Sequence, residues 1–396
     1  MANRKVEIIA TTGGLGQLAP SEDGLCGLIL QSATAPSGLA LLTPRMISSL
    51  AEAEGLGITS AFDTTNTVKC WKHIKEFYDE AKTGVPLWIM FTAQTVTQTV
   101  AWDVANQATY FGKLQTAAGG KIRIMSMVRS HAAGYTATTT AGVDADVLTA
   151  MTKAQALVEE FRTRKQPFAA IVPGHYYQAN TSTLQDLTTG TNKWVAGLIG
   201  DTESGVGCAI GLLLGRLASI AVDTQPGRVK DGARTNTAWY HNTTAFDLSK
   251  SPDAKAIESK GWLTMDMYVG RSSFYFTNDW TATAGTDDYN RLARVRIFQK
   301  AERLTYLTYL EEILDDIRLD PNTGMMSTVA VKDYEGKIQR VLDANLTSNG
   351  ELSGMVARID PLQNVLATGY VKVDIGMVPD AYANEFQIKL GFVPKI

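Results

Sequence analysis

The stretch of this sequence best able to do chemistry is "GLIGDTESGVGCAIG", in which an apolar run leads into glycines at the start of a helical pattern. Gly205, Gly207 and Gly211 give G-x-G-x-x-x-G, a spacing that could bring backbone amides close to a phosphate. It is one residue longer than the dinucleotide fingerprint and sits last in its α/β run, where that fingerprint comes first. The alternative is a close-packing role, with Gly211 and Gly215 continuing a small face that lets the helix approach the sheet. His175, in "VPGHYY" just after an apolar strand pattern, occupies a place where α/β enzymes put catalytic groups. His73, His131 and His241 are scattered, no HExxH or paired Cys/His spacing exists, and G-x-S-x-G is absent. Cys26, Cys70 and Cys208 lie far apart and read as reduced, buried thiols. The residues thus predict no cofactor, no metal and no catalytic set. An α/β nucleotide-binding or hydrolytic enzyme using the Gly205–Gly211 loop stands as the alternative to a non-enzymatic role.

Strands and helices alternate from about residue 24. "GLCGLIL", "VPLWIMF", "KIRIMSMV", "FAAIVPG" and "KWVAGLIGD" read as strands. Between them, "TNTVKCWKHIKEFYDEAKTG", "VLTAMTKAQALVEEFRTR" (147–164) and "GVGCAIGLLLGRLASIAV" carry helical spacing. That grammar predicts an α/β domain with a largely parallel sheet over residues 23–255. Residues 226–255 are polar and turn-rich and read as a loop excursion or a domain border. From 256 the pattern becomes α+β and is expected to run to 378. It holds a hairpin around Gly270-Arg271, one long helix capped by Thr286 or Asp287, a second helix over 328–346, the strand "SGMVARID" and a further closing strand.

With 37 Lys and Arg against 40 Asp and Glu, the net charge is −3. No basic run occurs, so nucleic acid is not expected as a direct partner. No apolar run of 18 residues exists to insert in a bilayer, and the apolar stretch near the amino terminus is too short for a secretory signal. Folding in the cytoplasm is the expectation.

Charge along the long helix is unusual. Residues 287–303 carry Arg291, Arg294, Arg296, Lys300 and Arg303, whereas 304–320 carry Glu311, Glu312, Asp315, Asp316 and Asp320. Apart from Asp287 and Asp288, this opposes the helix macrodipole, which favours acids at the start and bases at the end. Contact with a neighbouring subunit through Arg294, Arg296, Glu311, Glu312 and Asp315 is one reading, and a solvated face is the other.

The two ends are unusual as well. "KVEIIA" (5–10), with Val6 and Ile8 on one face, precedes a glycine-rich linker, so residues 1–22 read as an arm. Near the other end Val371, Val373 and Ile375 alternate with Lys372, Asp374 and Gly376, and Phe386, Ile388 and Leu390 alternate with Gln387, Lys389 and Gly391. Burying such side chains is worth roughly 1.5–3 kcal/mol each, so these strands need a sheet to join. Residues 379–396 read as a second arm, and unpaired strands at both termini invite association.

These parts together resemble the tail sheath proteins of contractile phage tails and related contractile injection systems. The resemblance rests on "GITSAFDTTNTVKCWKHIKEFYDEA", "GRLASIAVDTQPGRVKDG" and "YFTNDWTATAGTDDYNRLARVRIFQKAERLTYLTYLEEILDD". It implies that the α/β domain is the outer domain and the α+β domain the inner one. N- and C-terminal strands would be exchanged between subunits through Val6, Ile8, Val371, Val373, Ile375, Phe386, Ile388 and Leu390. It further implies a helical homopolymer of stacked rings around an inner tail tube, assembled with baseplate and terminator proteins, whose contraction drives the tube through a target envelope. Tube contact would fall on Lys332, Lys337 and Arg340. Assembly would be cytoplasmic, and the mature particle a virion tail or extracellular injection particle. A type VI secretion sheath is built from two chains, whereas this chain holds the whole module, so the resemblance points to a phage tail or tailocin-like particle.

Overall fold

The computed structural model describes residues 22–271 and 273–390. By contacts it divides into two units, residues 1–303 and 304–396.

The first unit is built on a seven-stranded sheet. In chain order its elements begin with β1 (Cys26–Gln31), β2 (Arg45–Ile47), α1 (Cys70–Ala81), β3 (Leu87–Thr92) and β4 (Ile124–Met127). They continue with α2 (Ala145–Thr163), β5 (Ala169–Pro173), β6 (Val195–Leu198), α3 (Ile210–Ala218) and β7 (Trp262–Leu263). The spatial order is β7-β6-β5-β4-β1-β3-β2, parallel except for β2 against β3. β1, β4, β5 and β6 are buried along their whole length, which is why they read as continuous apolar runs rather than alternating ones. The parallel sheet inferred from the β/α grammar is present.

α1 and α3 pack against each other closely. A Cβ on Gly211 would lie 2.0 Å from the His73 carbonyl oxygen, and one on Gly215 would lie 2.4 Å from that of Phe77. Only hydrogen fits there. The small face therefore serves helix-on-helix approach, where the sequence suggested approach to the sheet.

The border expected at residues 255–256 is not where the fold divides. Trp262 and Leu263 pair with Gly197 and Leu198, extending the main sheet by one strand. The hairpin that follows, β8 (Met265–Asp266) with β9 (Tyr275–Phe276), also lies within the first unit. After it comes α4 (Leu292–Leu310), and the division falls inside this helix, between Arg303 and Leu304.

α4 is also shorter than the predicted helix, which was to run from about 286 to 320. Neither Thr286 nor Asp287 caps it; Asp287 instead accepts from Tyr289 N–H at 2.7 Å in the preceding turn. The cap comes from Asp279 across the loop: its carbonyl accepts Leu292 N–H at 2.7 Å and its carboxylate accepts Ala293 N–H at 2.8 Å. Asp279 is fully buried, and Arg291 beside it stacks 3.7 Å over the Trp280 ring. The Thr-Asn-Asp turn thus sets the start of α4 by satisfying donors that a helix amino terminus leaves open.

The second unit contains the end of α4, then α5 (Thr328–Leu342), β10 (Gly354–Ile359) and β11 (Val373–Val378). β10 and β11 form an antiparallel pair of six residues each. Met326, Val331, Tyr334 and Ile359 make a small core, with Tyr309, Ile317, Val371 and Val373 against it.

Replacing Gly211 by Ala is expected to lower stability by about 1–3 kcal/mol through overpacking, read as a fall in the urea midpoint. Gly336, inside α5 with nothing within 4 Å of its would-be Cβ, is the control. Ala there should raise stability by about 0.5–1 kcal/mol.

Candidate functional site

The residues expected to join subunits fall into three groups. Val6 and Ile8 lie outside the described residues. Val371, Val373 and Ile375 lie in the second unit, half-buried, with β11 pairing to β10 of its own chain. That first closing strand is therefore accounted for within the chain.

Phe386, Ile388 and Leu390 are different. They are 80%, 81% and 97% exposed, and residues 379–390 belong to no strand or helix. Three large apolar side chains at every second position, all in water, form one strand face without a sheet.

The small sheet itself is one-sided. Ala357 and Ile359 of β10 are buried and Val373, Ile375 and Met377 of β11 are half-buried, while Val356, Arg358, Asp374 and Val378 face solvent. Period-two alternation puts the first set on the helix-facing side.

The charged residues proposed for an interface on the long helix are distributed otherwise than the sequence implied. Arg296 is buried, and its guanidinium donates to the carbonyls of Leu217, Ile220 and Ala221 at 3.0–3.4 Å. Leu217 is in the last turn of α3, and Ile220 and Ala221 follow just after it, so this cation serves another helix's negative end. Arg296 is thus no surface interface charge. Arg303 and Lys300 bond to Asp23, and Glu302 pairs with Arg162 at 3.1 Å. Arg294 donates to Asn290 at 3.2 Å. Glu311, Glu312 and Asp315 lie beyond the last residue of α4, so they do not load its carboxyl end as helical residues.

Among the tube candidates, Lys337 sits between Glu312 and Asp333, at 2.8 and 2.9 Å, and those two acids hold its pKa above the usual lysine range. Lys332 pairs with Glu335 at 2.6 Å, and Arg340 is exposed, with its Nε on the Gly336 carbonyl.

The residues that suggested enzyme chemistry are taken up internally. At the start of α3, Ala209 N–H donates to Gly200 O at 3.0 Å, Ile210 N–H to Cys208 O at 2.8 Å and Gly211 N–H to His73 Nδ1 at 3.3 Å. Asp201 stands beside Gly207, pairs with the buried Lys72, and adds negative charge where a phosphate would bring more. Burial pushes the neighbouring Glu76 carboxyl up, yet Lys72, His73 and Thr202 together hold it below the usual range. The switch point of the sheet, between the carboxyl ends of β1 and β4, is where α/β folds bind ligands. Here Arg129 fills it, donating to Gln31 Oε1 at 2.8 Å and to the Gln94 carbonyl at 2.6 Å. His175 is 2% exposed, and burial, with His131 and Arg129 nearby, keeps its imidazole neutral far below the usual histidine range. Among the described residues no cluster of three His, Cys, Asp or Glu could hold a metal ion. No helix among them is long and apolar enough to cross a membrane.

The model of the DUF2586 N-terminal domain matches residues 3–279, and that of the DUF2586 C-terminal domain matches residues 288–396. The chain belongs to the DUF2586 family. Comparison with the curated proteins finds no match. Among solved structures, the chain resembles one in the contracted helical sheath of the anti-feeding prophage, with a TM-score of 0.63 and 14% identity over 99% of both chains. It also resembles a chain of the contracted PVC sheath complex of an extracellular contractile injection system. There the TM-score is 0.59 and the identity 11%, over 100% of this chain and 98% of that one. The sheath tail protein of Desulfitobacterium hafniense matches with a TM-score of 0.51 and 8% identity, covering 95% and 100%. The fold is that of contractile sheath chains over nearly the whole length.

The buried histidines make stability depend on pH. His241 is 5% exposed, its Nε2 lies 2.8 Å from Thr264 Oγ1, and burial lowers its pKa to about 4. An unfolded histidine titrates near about 6.5, so between there and pH 4 the unfolded chain takes up a proton that the folded chain refuses. Stability should fall through that window by up to about 1.4 kcal/mol per pH unit for this group. Urea titrations at pH 7.5 and 5 should show a smaller loss in His241→Gln than in the wild type.

Proposed function

We propose that this chain is the structural subunit of a contractile tail sheath. It polymerises helically around an inner tube and, on contraction, drives that tube through a target cell envelope. The observation that carries this reading is the exposed alternation of Phe386, Ile388 and Leu390 beside a two-stranded sheet, in a fold shared with sheath chains of contractile particles.

The partners follow from that role. The first is the chain itself, in stacked rings, with residues of both terminal arms added to neighbouring sheets; main-chain hydrogen bonds then supply affinity and alternating side chains fix register. The α/β unit forms the outer layer and the α+β unit lines the tube, with Lys332, Lys337 and Arg340 on α5 as the tube-facing cations. Baseplate and terminator proteins bound the polymer. Assembly takes place in the bacterial cytoplasm, and the mature particle is a phage tail or tailocin-like injection particle. Contraction needs two packings of the same subunits that differ in free energy, with strands as tethers while the units repack. No cofactor enters, and the glycine run near α3 acts in packing rather than in nucleotide binding.

Negative-stain electron microscopy of the purified full-length chain beside one lacking residues 380–396 tests this. Regular tubes from the full-length chain and none from the shortened one are expected. Small uniform particles from both would overturn the sheath reading.

A further inference from the structure

At the amino-terminal edge of the main sheet, opposite the switch point, the first unit holds a cavity of about 10 Å³. Four cations line it: Arg123, which immediately precedes β4, and Arg296, Lys300 and Arg303 on α4. Asp23, three residues before β1, is the only acid in the lining among the described residues. Charge in this pocket is therefore one-sided.

Most of these groups are engaged with one another or with the backbone. Lys300 and Arg303 both close on Asp23, Lys300 at 3.0 Å. Burial pushes the Asp23 carboxyl up, yet Lys300 and Arg303 together hold it below the usual carboxylate range. Arg296 is turned onto the carboxyl end of α3. One carboxylate thus answers two cations.

Arg123 is different. It is 8% exposed, and the hydrogen bonds it makes among the described residues go to main-chain carbonyls, of Gly120 at 2.9 Å and Ile122 at 3.5 Å. Its Nε is buried and bonded to no described group, and the same is true of the Arg303 Nε. Burial and the charge of Arg303 lower the Arg123 pKa to about 9, against the weaker pull of Asp23 and Glu22. Glu22 lies on the surface, 3.7 Å from Lys121. A guanidinium taken out of water needs a counter-charge beside it, and no protein carboxylate supplies one within reach of Arg123 among the described residues.

We infer that this cavity is a halide site, in which one chloride ion lies between Arg123 and Arg303 and balances the charge that Asp23 alone does not. The space takes a single particle about the size of a water molecule, so a monatomic anion fits and sulfate or phosphate does not. Arginine is weakly hydrated for a cation, which suits it to hold such an ion away from bulk water. The ion joins three pieces of chain: the turn before β1, the entry to β4 and the stretch of α4 that ends the first unit. Asp23 directly follows residues 1–22, so chloride braces the root of the amino-terminal arm against α4. The site goes beyond the sheath reading and does not depend on it.

Urea unfolding of the full-length chain tests this at fixed ionic strength, with sodium gluconate replaced stepwise by sodium chloride. A ligand held only by the folded chain raises the folding equilibrium constant by up to about tenfold for each tenfold rise in its concentration, so the midpoint should climb with chloride. The protein should also broaden the NMR line of chloride. Arg123→Met, which keeps an unbranched apolar stem and removes the charge, should abolish both responses, and Arg303→Met carries the same test should R123M fail to fold. Arg45→Met, at an exposed position on β2, should keep both. Glu7, the one acid in residues 1–21, is the rival source of negative charge, and Glu7→Gln should leave the chloride response unchanged. A response that appears only in E7Q would put a carboxylate of the chain in the site and overturn the inference. Equal midpoints in chloride and gluconate would leave the cavity to water and overturn it as well, as would a chloride response that survives R123M.

Discussion

Every N–H and C=O along a strand edge must be bonded to protein or left to water, and this chain manages its edges in two opposite ways. The seven-stranded sheet ends in β2, three residues long, and β7, only two. Such edges are too short to recruit another chain. The two-stranded sheet of the second unit has six-residue strands and a half-buried face, and α5 side chains Glu335 and Gln339 bond to the β10 backbone at Ile359 and Ala357. An isolated pair of strands is marginal in water, and this one rests its half-buried face on Val331 and Tyr334 of α5.

The same contrast appears in how charge is used. In the first unit, cations on α4 are turned inward: Arg296 onto the carboxyl end of α3, Lys300 and Arg303 onto Asp23. They look misplaced on their own helix because they satisfy groups on other elements. In the second unit, Lys332, Lys337 and Glu335 lie near the surface, where solvent screens their pairs. The energetic weight of charge is thus in the first unit's packing.

An α/β sheet with a topological switch point ordinarily offers a ligand crevice. This one has its crevice filled by Arg129 and Gln31, its glycines pressed against a helix, and the amides opening α3 already bonded. The fold here works as a rigid block. Close-packed interiors of this kind deform little.

What the sequence determined by itself was whatever depends on near neighbours in the chain. Apolar runs located the buried strands, helical spacing located α1, α2 and α5, and alternation in 371–377 and 386–390 marked two strand faces, one of which is paired and one of which is exposed. Tertiary structure decided whatever depends on residues far apart. It set the cap of α4 by Asp279, the burial of Arg296, the assignment of Trp262–Leu263 to the main sheet and the hydrogen bonds from the β10 backbone to Glu335 and Gln339. Periodicity reports which face of an element is apolar, because that follows from 3.6 or two residues per turn. It carries no record of which distant backbone group a side chain will meet. That is fixed only when the elements pack.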